Sequence, residues 1–133
     1  MKLIRMILIC ALGLATANPA IAGESVAAAE QPETINELIV EYFPHNYRTM
    51  FAVAKCESRG LHRNPDGSLI ANPKSSARGV FQVLMRVHKP EMVRLGLNPN
   101  NDEDYIKYVR RLYDAQKLQP WAESKGCWKR RLA

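Results

Sequence analysis

Apolar residues recur at three- to four-residue intervals in two stretches of the first half of the chain, which predicts two amphipathic helices. The first helix opens at Pro32, and its apolar face is formed by Ile35, Leu38, Ile39, Tyr42 and Phe43. Pro44 ends this helix because proline cannot continue the hydrogen-bonding pattern. Asn46 can cap a second helix, which is predicted to run to about Glu57 or Ser58, just before Gly60.

The second half of the chain predicts a long loop, a short apolar segment and two further helices. Residues 60–78 have a loop composition, and Asp66-Gly67 is a tight-turn signal that favours a small hairpin. The apolar segment 80–85 follows. One helix is predicted from Pro90 to near Gly96, and the longest from 102 to 118, with an acidic first turn that matches the helix dipole. The expected fold is mainly α, a small helical domain with one long loop or short hairpin.

The first 22 residues have the pattern of a secretory signal peptide. Lys2 and Arg5 precede an uncharged apolar stretch, and Ala20-Ile21-Ala22 offers small residues before a cleavage site at Gly23. A membrane anchor is the alternative, but the apolar stretch is short for a bilayer. Residues 23–31 are small and polar and are expected to form a flexible leader. The protein is therefore predicted to be exported, periplasmic or extracellular, without stable membrane insertion.

The net charge of +6 first suggests a nucleic-acid partner. Two of the positive charges lie in the predicted signal peptide, and three lie in the basic tail 129–133. The remaining body, 23–128, carries a net charge of about +1 and has no long basic run. The charge therefore belongs mostly to the ends of the chain, and no nucleic-acid partner is expected.

Two cysteines remain once Cys10 leaves with the signal peptide: Cys56 and Cys127. An even number in an oxidising compartment favours a disulfide, with two free buried thiols as the alternative. The three histidines have no metal-ligand spacing with each other or with the cysteines. No metal and no cofactor are expected.

Glu57 is the candidate catalytic residue. It follows Cys56 at the end of the second helix, where the long loop begins. A carboxyl at the floor of a cleft has a raised pKa, because burial disfavours the anion, and it can then donate a proton to a leaving oxygen. From the residue alone, a surface glutamate paired with Arg59 is the simpler interpretation.

Two sequence segments change that balance. Residues 54–60 read Ala-Lys-Cys-Glu-Ser-Arg-Gly, and residues 72–82 read Asn-Pro-Lys-Ser-Ser-Ala-Arg-Gly-Val-Phe-Gln. Further along come Leu-Gly-Leu at 95–97, Gln-Pro-Trp at 119–121 and Ser-x-x-Cys-Trp at 124–128. Over about 47–128 the chain resembles the SLT-type lytic transglycosylases of the goose-type lysozyme superfamily. It is most similar to a small exported branch that closes on Cys-Trp.

The resemblance implies a lysozyme-like domain over 32–128 that cleaves the β-1,4 bond between MurNAc and GlcNAc in peptidoglycan glycan strands. It implies that Glu57 acts as acid and then base, with the substrate's own N-acetyl oxygen capturing the sugar, so that a 1,6-anhydro product forms. Such a scheme needs one protein carboxylate, and 58–91 offers only Asp66 and Glu91 besides. Two-carboxylate glycosidases need a second acid at a defined separation.

The resemblance also implies substrate-binding residues, each with a structural alternative. The candidates are Ser58, Ser75, Ser76, Phe81, Gln82, His88 and Trp121. Core packing is the alternative for Phe81 and Trp121, a turn role for the serines, and a surface or helix-end position for His88. Two departures stand out: 57–82 is longer than in common family members, and the later Ala-Tyr-Asn-Ala-Gly segment is absent.

The sequence thus predicts a monomeric, exported peptidoglycan lytic transglycosylase. A hydrolytic, lysozyme-like muramidase on the same scaffold is one alternative. A catalytically silent cell-wall-binding module is the other.

Overall fold

The computed structural model describes residues 33–133. The predicted signal peptide and the leader lie outside these residues. The first helix begins at Ile35, after a cap at Thr34, and not at Pro32 as predicted, because the Thr34 backbone is extended. The described part is a small, mainly helical domain with one disulfide, as the sequence predicts. None of its helices has the length and hydrophobicity that crossing a membrane requires.

The first two helices follow the apolar pattern closely. Helix α1 spans Ile35–Tyr42 and starts with a capping box, in which Thr34 and Glu37 satisfy each other's backbone N–H groups. Helix α2 spans Tyr47–Ser58. It ends because Arg59 adopts a left-handed conformation, with φ of 61°, and Gly60 follows at φ of 77°.

The long loop is held by short β pairings. Strand β1 (Ala77–Arg78) pairs antiparallel with β2 (Val83–Leu84). Two isolated bridges, Arg63 with Leu69 and Ala71 with Arg78, fold the preceding residues into a small hairpin. The predicted Asp66-Gly67 turn lies at its tip, where the amide N–H of Gly67 donates to the Asn64 carbonyl.

The prediction of a helix beginning at Pro90 is wrong. Helix α3 spans Met85–Arg94 and contains Pro90 in its interior. It can start at Met85 because Ser76 satisfies its first free N–H groups: the Ser76 carbonyl accepts from Met85 and its hydroxyl accepts from Arg86. Pro90 stands on an exposed side of the helix. Its missing N–H therefore removes a hydrogen bond at the surface and not in the core.

The C-terminal half ends in one more helix than the sequence predicted. Helix α4 spans Asp102–Gln116, with Asn101 as its cap. A short 3-10 helix, Gln119–Trp121, follows. Helix α5 spans Lys125–Leu132 and includes most of the predicted basic tail, whose residues are exposed.

The core lies between α1, α2 and α4 and is closed by the residues after β1 and by the two tryptophans near the C-terminus. The disulfide Cys56–Cys127 ties the end of α2 to α5. This fixes the end of α2, where Glu57 stands, against the C-terminal segment.

Candidate active site

Two adjoining cavities have Glu57 in their walls. One has a volume of about 710 Å³ and reaches toward the 3-10 helix, with Trp121 and Ser124 in its wall. The other has a volume of about 450 Å³ and reaches toward the start of the long loop. Glu57, Asn72 and Gln82 line both. We refer to the two cavities together as the cleft, and Glu57 lines both parts of it.

Glu57 is held in place from both sides along the chain. It is the penultimate residue of α2. Cys56, just before it, is bonded to Cys127. Ser58, just after it, is buried, and its hydroxyl lies 2.8 Å from the Val80 carbonyl and 3.1 Å from that of Ala54. The backbone at Glu57 is therefore fixed, and its half-buried side chain faces the cleft.

Among residues 33–133, the carboxylate has one direct side-chain hydrogen-bond partner. The hydroxyl of Ser124 donates a hydrogen bond to Glu57 Oε1 over 2.6 Å, and the Trp121 carbonyl lies 3.2 Å from the same hydroxyl. Trp128 donates from its indole nitrogen to the Trp121 carbonyl over 3.1 Å. The turn before α5 is thereby anchored over the end of α2, and it delivers Ser124 to Glu57.

Burial raises the pKa of Glu57 above its ordinary value, since a partly dehydrated carboxylate is less stable than the neutral acid. The hydrogen bond from Ser124 opposes this by stabilising the anion, and the negative charge of Glu123 adds to the rise. A glutamate with a raised pKa stays partly protonated closer to neutral pH, so it can donate its proton as a general acid.

The structure brings Ser75, Gln82 and Trp121 to the cleft with Glu57. Gln82 adopts φ of +49°, a left-handed conformation that costs energy for a residue with a side chain. Its amide nitrogen donates to the Gly79 carbonyl over 2.9 Å, which orients the side chain and leaves the amide oxygen as an acceptor. Trp121 is 4% exposed and donates to the Phe81 carbonyl, so it is a fixed part of the wall with little exposed surface.

Three of the other predicted binding residues lie outside the cleft, and Ser58 lines its smaller cavity without a free hydroxyl. Phe81 is 1% exposed and packs in the core, so its ring is not available to a ligand. The hydroxyl of Ser58 is engaged by backbone carbonyls, and Ser76 caps α3. His88 lies on α3, where its ring nitrogen Nδ1 is 2.9 Å from the Tyr108 hydroxyl. None of Phe81, Ser76 and His88 is among the residues lining the cleft.

Two functional candidates were missed by the sequence analysis. Ser124 is the partner of Glu57, and Glu123 is a second carboxylate lining the cleft. Both belong to the turn before α5, a helix that the sequence did not predict. Asp66 and Glu91, the carboxylates considered first, do not line the cleft: Asp66 bonds Ser68 at the hairpin tip, and Glu91 pairs with Arg94.

In residues 33–133, no three His, Cys, Asp or Glu side chains come together in a way that could hold a metal ion. The site is thus a polar cleft around one half-buried carboxyl, with a hydroxyl partner. In comparisons with known proteins, the chain matches no family model, no curated protein and no solved structure.

Proposed function

We propose that the protein is an exported enzyme that cleaves the β-1,4 MurNAc-GlcNAc bond of peptidoglycan glycan strands, with Glu57 as its acid and base. The observation that carries the proposal is the position of Glu57: its half-buried carboxyl lines both cavities of the cleft, so a polymer bound in both would pass the acid. The disulfide supports export, because such bonds persist in oxidising compartments.

The cleft supports a polysaccharide as the substrate class. Its lining is rich in groups that bind sugar hydroxyl and amide groups, such as Asn72, Ser75 and Gln119. Trp121 and Pro120 add apolar surface on the side of the larger cavity. The resemblance of 54–60 and 72–82 to the SLT-type family points to peptidoglycan as the polymer. Residues of both segments line this cleft.

The proposed reaction uses Glu57 twice. Glu57 first donates its proton to the glycosidic oxygen as the bond from that oxygen to C1 of MurNAc breaks. The carbonyl oxygen of the substrate's N-acetyl group bonds to C1 and carries the positive charge. The anionic Glu57 then takes the proton of the 6-hydroxyl, whose oxygen attacks C1, releases the N-acetyl oxygen and closes the 1,6-anhydro ring. Glu57 ends protonated, ready for the next bond.

A second candidate function is hydrolysis by two carboxylates, and Glu123 is the observation that favours it. Glu123 is exposed and lines the same cleft, and its negative charge raises the pKa of Glu57. In an inverting glycosidase the second carboxylate activates water. The non-hydrolytic scheme needs no such group, so the two candidates differ in what Glu123 does.

Purified protein incubated with isolated murein sacculi tests the proposal. Wild type should release soluble fragments, and Glu57→Gln should release none, because the amide cannot donate an acidic proton. Under the non-hydrolytic scheme, Glu123→Gln should keep most of the activity. Under two-carboxylate hydrolysis, Glu123→Gln should lose the activity, as Glu57→Gln does. Equal release by wild type and Glu57→Gln would refute the role of Glu57.

A further inference from the structure

A separate cavity of about 550 Å³ lies on the other side of strand β1 from the cleft. Successive residues of a strand point to opposite faces. Accordingly, Ala77 lines the cleft, and Arg78, the next residue, lines this second cavity. Its main walls are formed by Arg63, Leu69, Arg78, Met85, Lys89 and Asn100.

The lining that the described residues give this cavity contains three basic side chains and no carboxylate. Arg63 is compensated, since its guanidinium pairs with Asp102 and also donates to the carbonyls of Gly67 and Asn100. Within residues 33–133, neither Arg78 nor Lys89 forms an ion pair. The cavity therefore carries two positive charges that the described part of the chain leaves uncompensated.

The guanidinium of Arg78 is already oriented. Its Nη1 donates to its neighbour's carbonyl, that of Ala77, over 2.7 Å and to the Ser75 carbonyl over 3.1 Å. The backbone of Arg78 is itself held by pairing with Val83. These bonds use both hydrogens of Nη1. The edge formed by Nε and Nη2 has no acceptor in the described residues. That edge is the fork with which arginine binds the two oxygens of a carboxylate or phosphate.

We propose that this cavity binds an oxyanion, with Arg78 gripping it by the Nε–Nη2 edge and Lys89 adding a second positive charge. Leu69, which is buried, and Met85, which is half-buried, give the cavity an apolar side. The preferred ligand is therefore a carboxylate or phosphate group on a partly apolar body. The site lies outside the cleft and does not rest on the proposed cleavage of glycan strands.

Amide chemical shifts of the protein, followed while sodium phosphate or sodium isovalerate is added at constant ionic strength, test this proposal. We expect saturable shifts at Gly67, Arg78 and Asn100 with at least one of the two anions. Arg78→Gln and Lys89→Gln should each weaken binding, Arg78→Gln by about tenfold, as expected for loss of a charge-assisted pair. Arg48→Gln removes an exposed charge at the start of α2 and serves as the matched control, with unchanged binding.

The two anions separate the possible sources of the group. Saturation by phosphate alone assigns a phosphate ligand, saturation by isovalerate alone assigns a carboxylate on an apolar body, and saturation by both assigns the shared chemistry. Shifts that grow linearly with both anions would overturn the proposal. Saturable shifts that are unchanged in Arg78→Gln and Lys89→Gln would do so too. Lys89 is an exposed helix residue, so its variant keeps the test valid if Arg78→Gln fails to fold.

Discussion

The hydroxyl of Ser124 donates a 2.6 Å hydrogen bond to Oε1 of Glu57, across 67 residues of sequence. Two features place Ser124 there: the disulfide between Cys56 and Cys127, and the bond from Trp128 to the Trp121 carbonyl. The disulfide joins the C-terminal segment to the end of α2. The bond from Trp128 fixes the C-terminal segment internally. The proton affinity of Glu57 is thus set by burial and by a residue that is distant in sequence but in direct contact.

Ser124→Ala should move the pH dependence of cleavage to higher pH. The hydrogen bond from Ser124 stabilises the Glu57 anion, so its loss raises the pKa of Glu57 further, and the acid stays protonated to higher pH. The rate at the optimum should fall roughly three- to tenfold, since one positioning hydrogen bond contributes on the order of 1 kcal/mol.

Rates of fragment release from sacculi across a pH series measure this shift. Ser124→Thr is the matched control, because it keeps the hydroxyl, and its profile should stay near that of wild type. A Ser124→Ala profile that drops in height without moving along the pH axis would mean that Ser124 does not tune Glu57.

Glu57→Gln should make the protein more stable at neutral pH, although it removes activity. The pKa of Glu57 is raised on folding, so the folded state prefers the protonated form. Its contribution to stability is present below the unfolded pKa and is lost as the pH rises through the folded pKa. A neutral amide avoids that loss, so the gain over wild type should appear above about pH 5 and vanish in more acidic solution, given an ordinary glutamate pKa of about 4.3.

Urea unfolding of wild type and Glu57→Gln at several pH values measures the gain. Glu41→Gln, which removes an exposed carboxylate of α1, should show no comparable gain. A constant difference between wild type and Glu57→Gln at every pH would indicate that the carboxyl is not destabilised by burial.

Gly79→Ala should strongly destabilise the folded protein. A Cβ at Gly79 would stand 2.7 Å from the Tyr105 ring and 2.9 Å from His62, and the residue has φ of 76°. Both neighbours are buried, so neither can move aside cheaply. We expect a loss of more than about 2 kcal/mol in the free energy of unfolding, combining strain with overpacking.

Gly96→Ala separates the two contributions. Gly96 has nearly the same φ, 73°, but nothing within 4 Å of an added Cβ. Its variant should lose only about 1 kcal/mol, from the left-handed backbone. Equal losses for Gly79→Ala and Gly96→Ala in denaturant unfolding would remove the packing argument.

Loss of the disulfide should lower the free energy of unfolding by about 4 kcal/mol, the chain-entropy value for a loop of this size. The paired variant Cys56→Ala/Cys127→Ala, compared with oxidised wild type in urea, gives the difference. Adding a reductant should destabilise wild type and leave the paired variant unchanged. Equal midpoints for the oxidised wild type and the paired variant would contradict this expectation.

The helices that carry most of the core were predictable because their apolar residues repeat with the period of a helix. The faces of α1 and α4 belong to this class, and so does the end of α2 at Glu57. The start of α3 was not predictable in this way. Pro90 favoured a later start, and the cap at Ser76 comes from a residue nine positions before the helix, brought there by the fold.

The candidate site was predictable where it depends on local sequence and was missed where it depends on long-range contact. Glu57, Ser75 and Gln82 were found through two short segments. Ser124 and Glu123 lie far along the chain, in a turn with no periodicity of its own. The disulfide and the bond from Trp121 to the Phe81 carbonyl bring that turn to the cleft. Phe81 shows the opposite error: it stands beside a cleft residue in sequence, but its side chain belongs to the core.

The central claim is that Glu57 cleaves glycan strands without water, and the masses of the fragments released from murein sacculi test it most directly. Wild type should release fragments ending in a 1,6-anhydro sugar, lighter by one water than hydrolysis products, and Glu57→Gln should release none. Fragments carrying the added water would contradict the non-hydrolytic reaction. No release by wild type, or equal release by Glu57→Gln, would contradict the assignment of Glu57 itself.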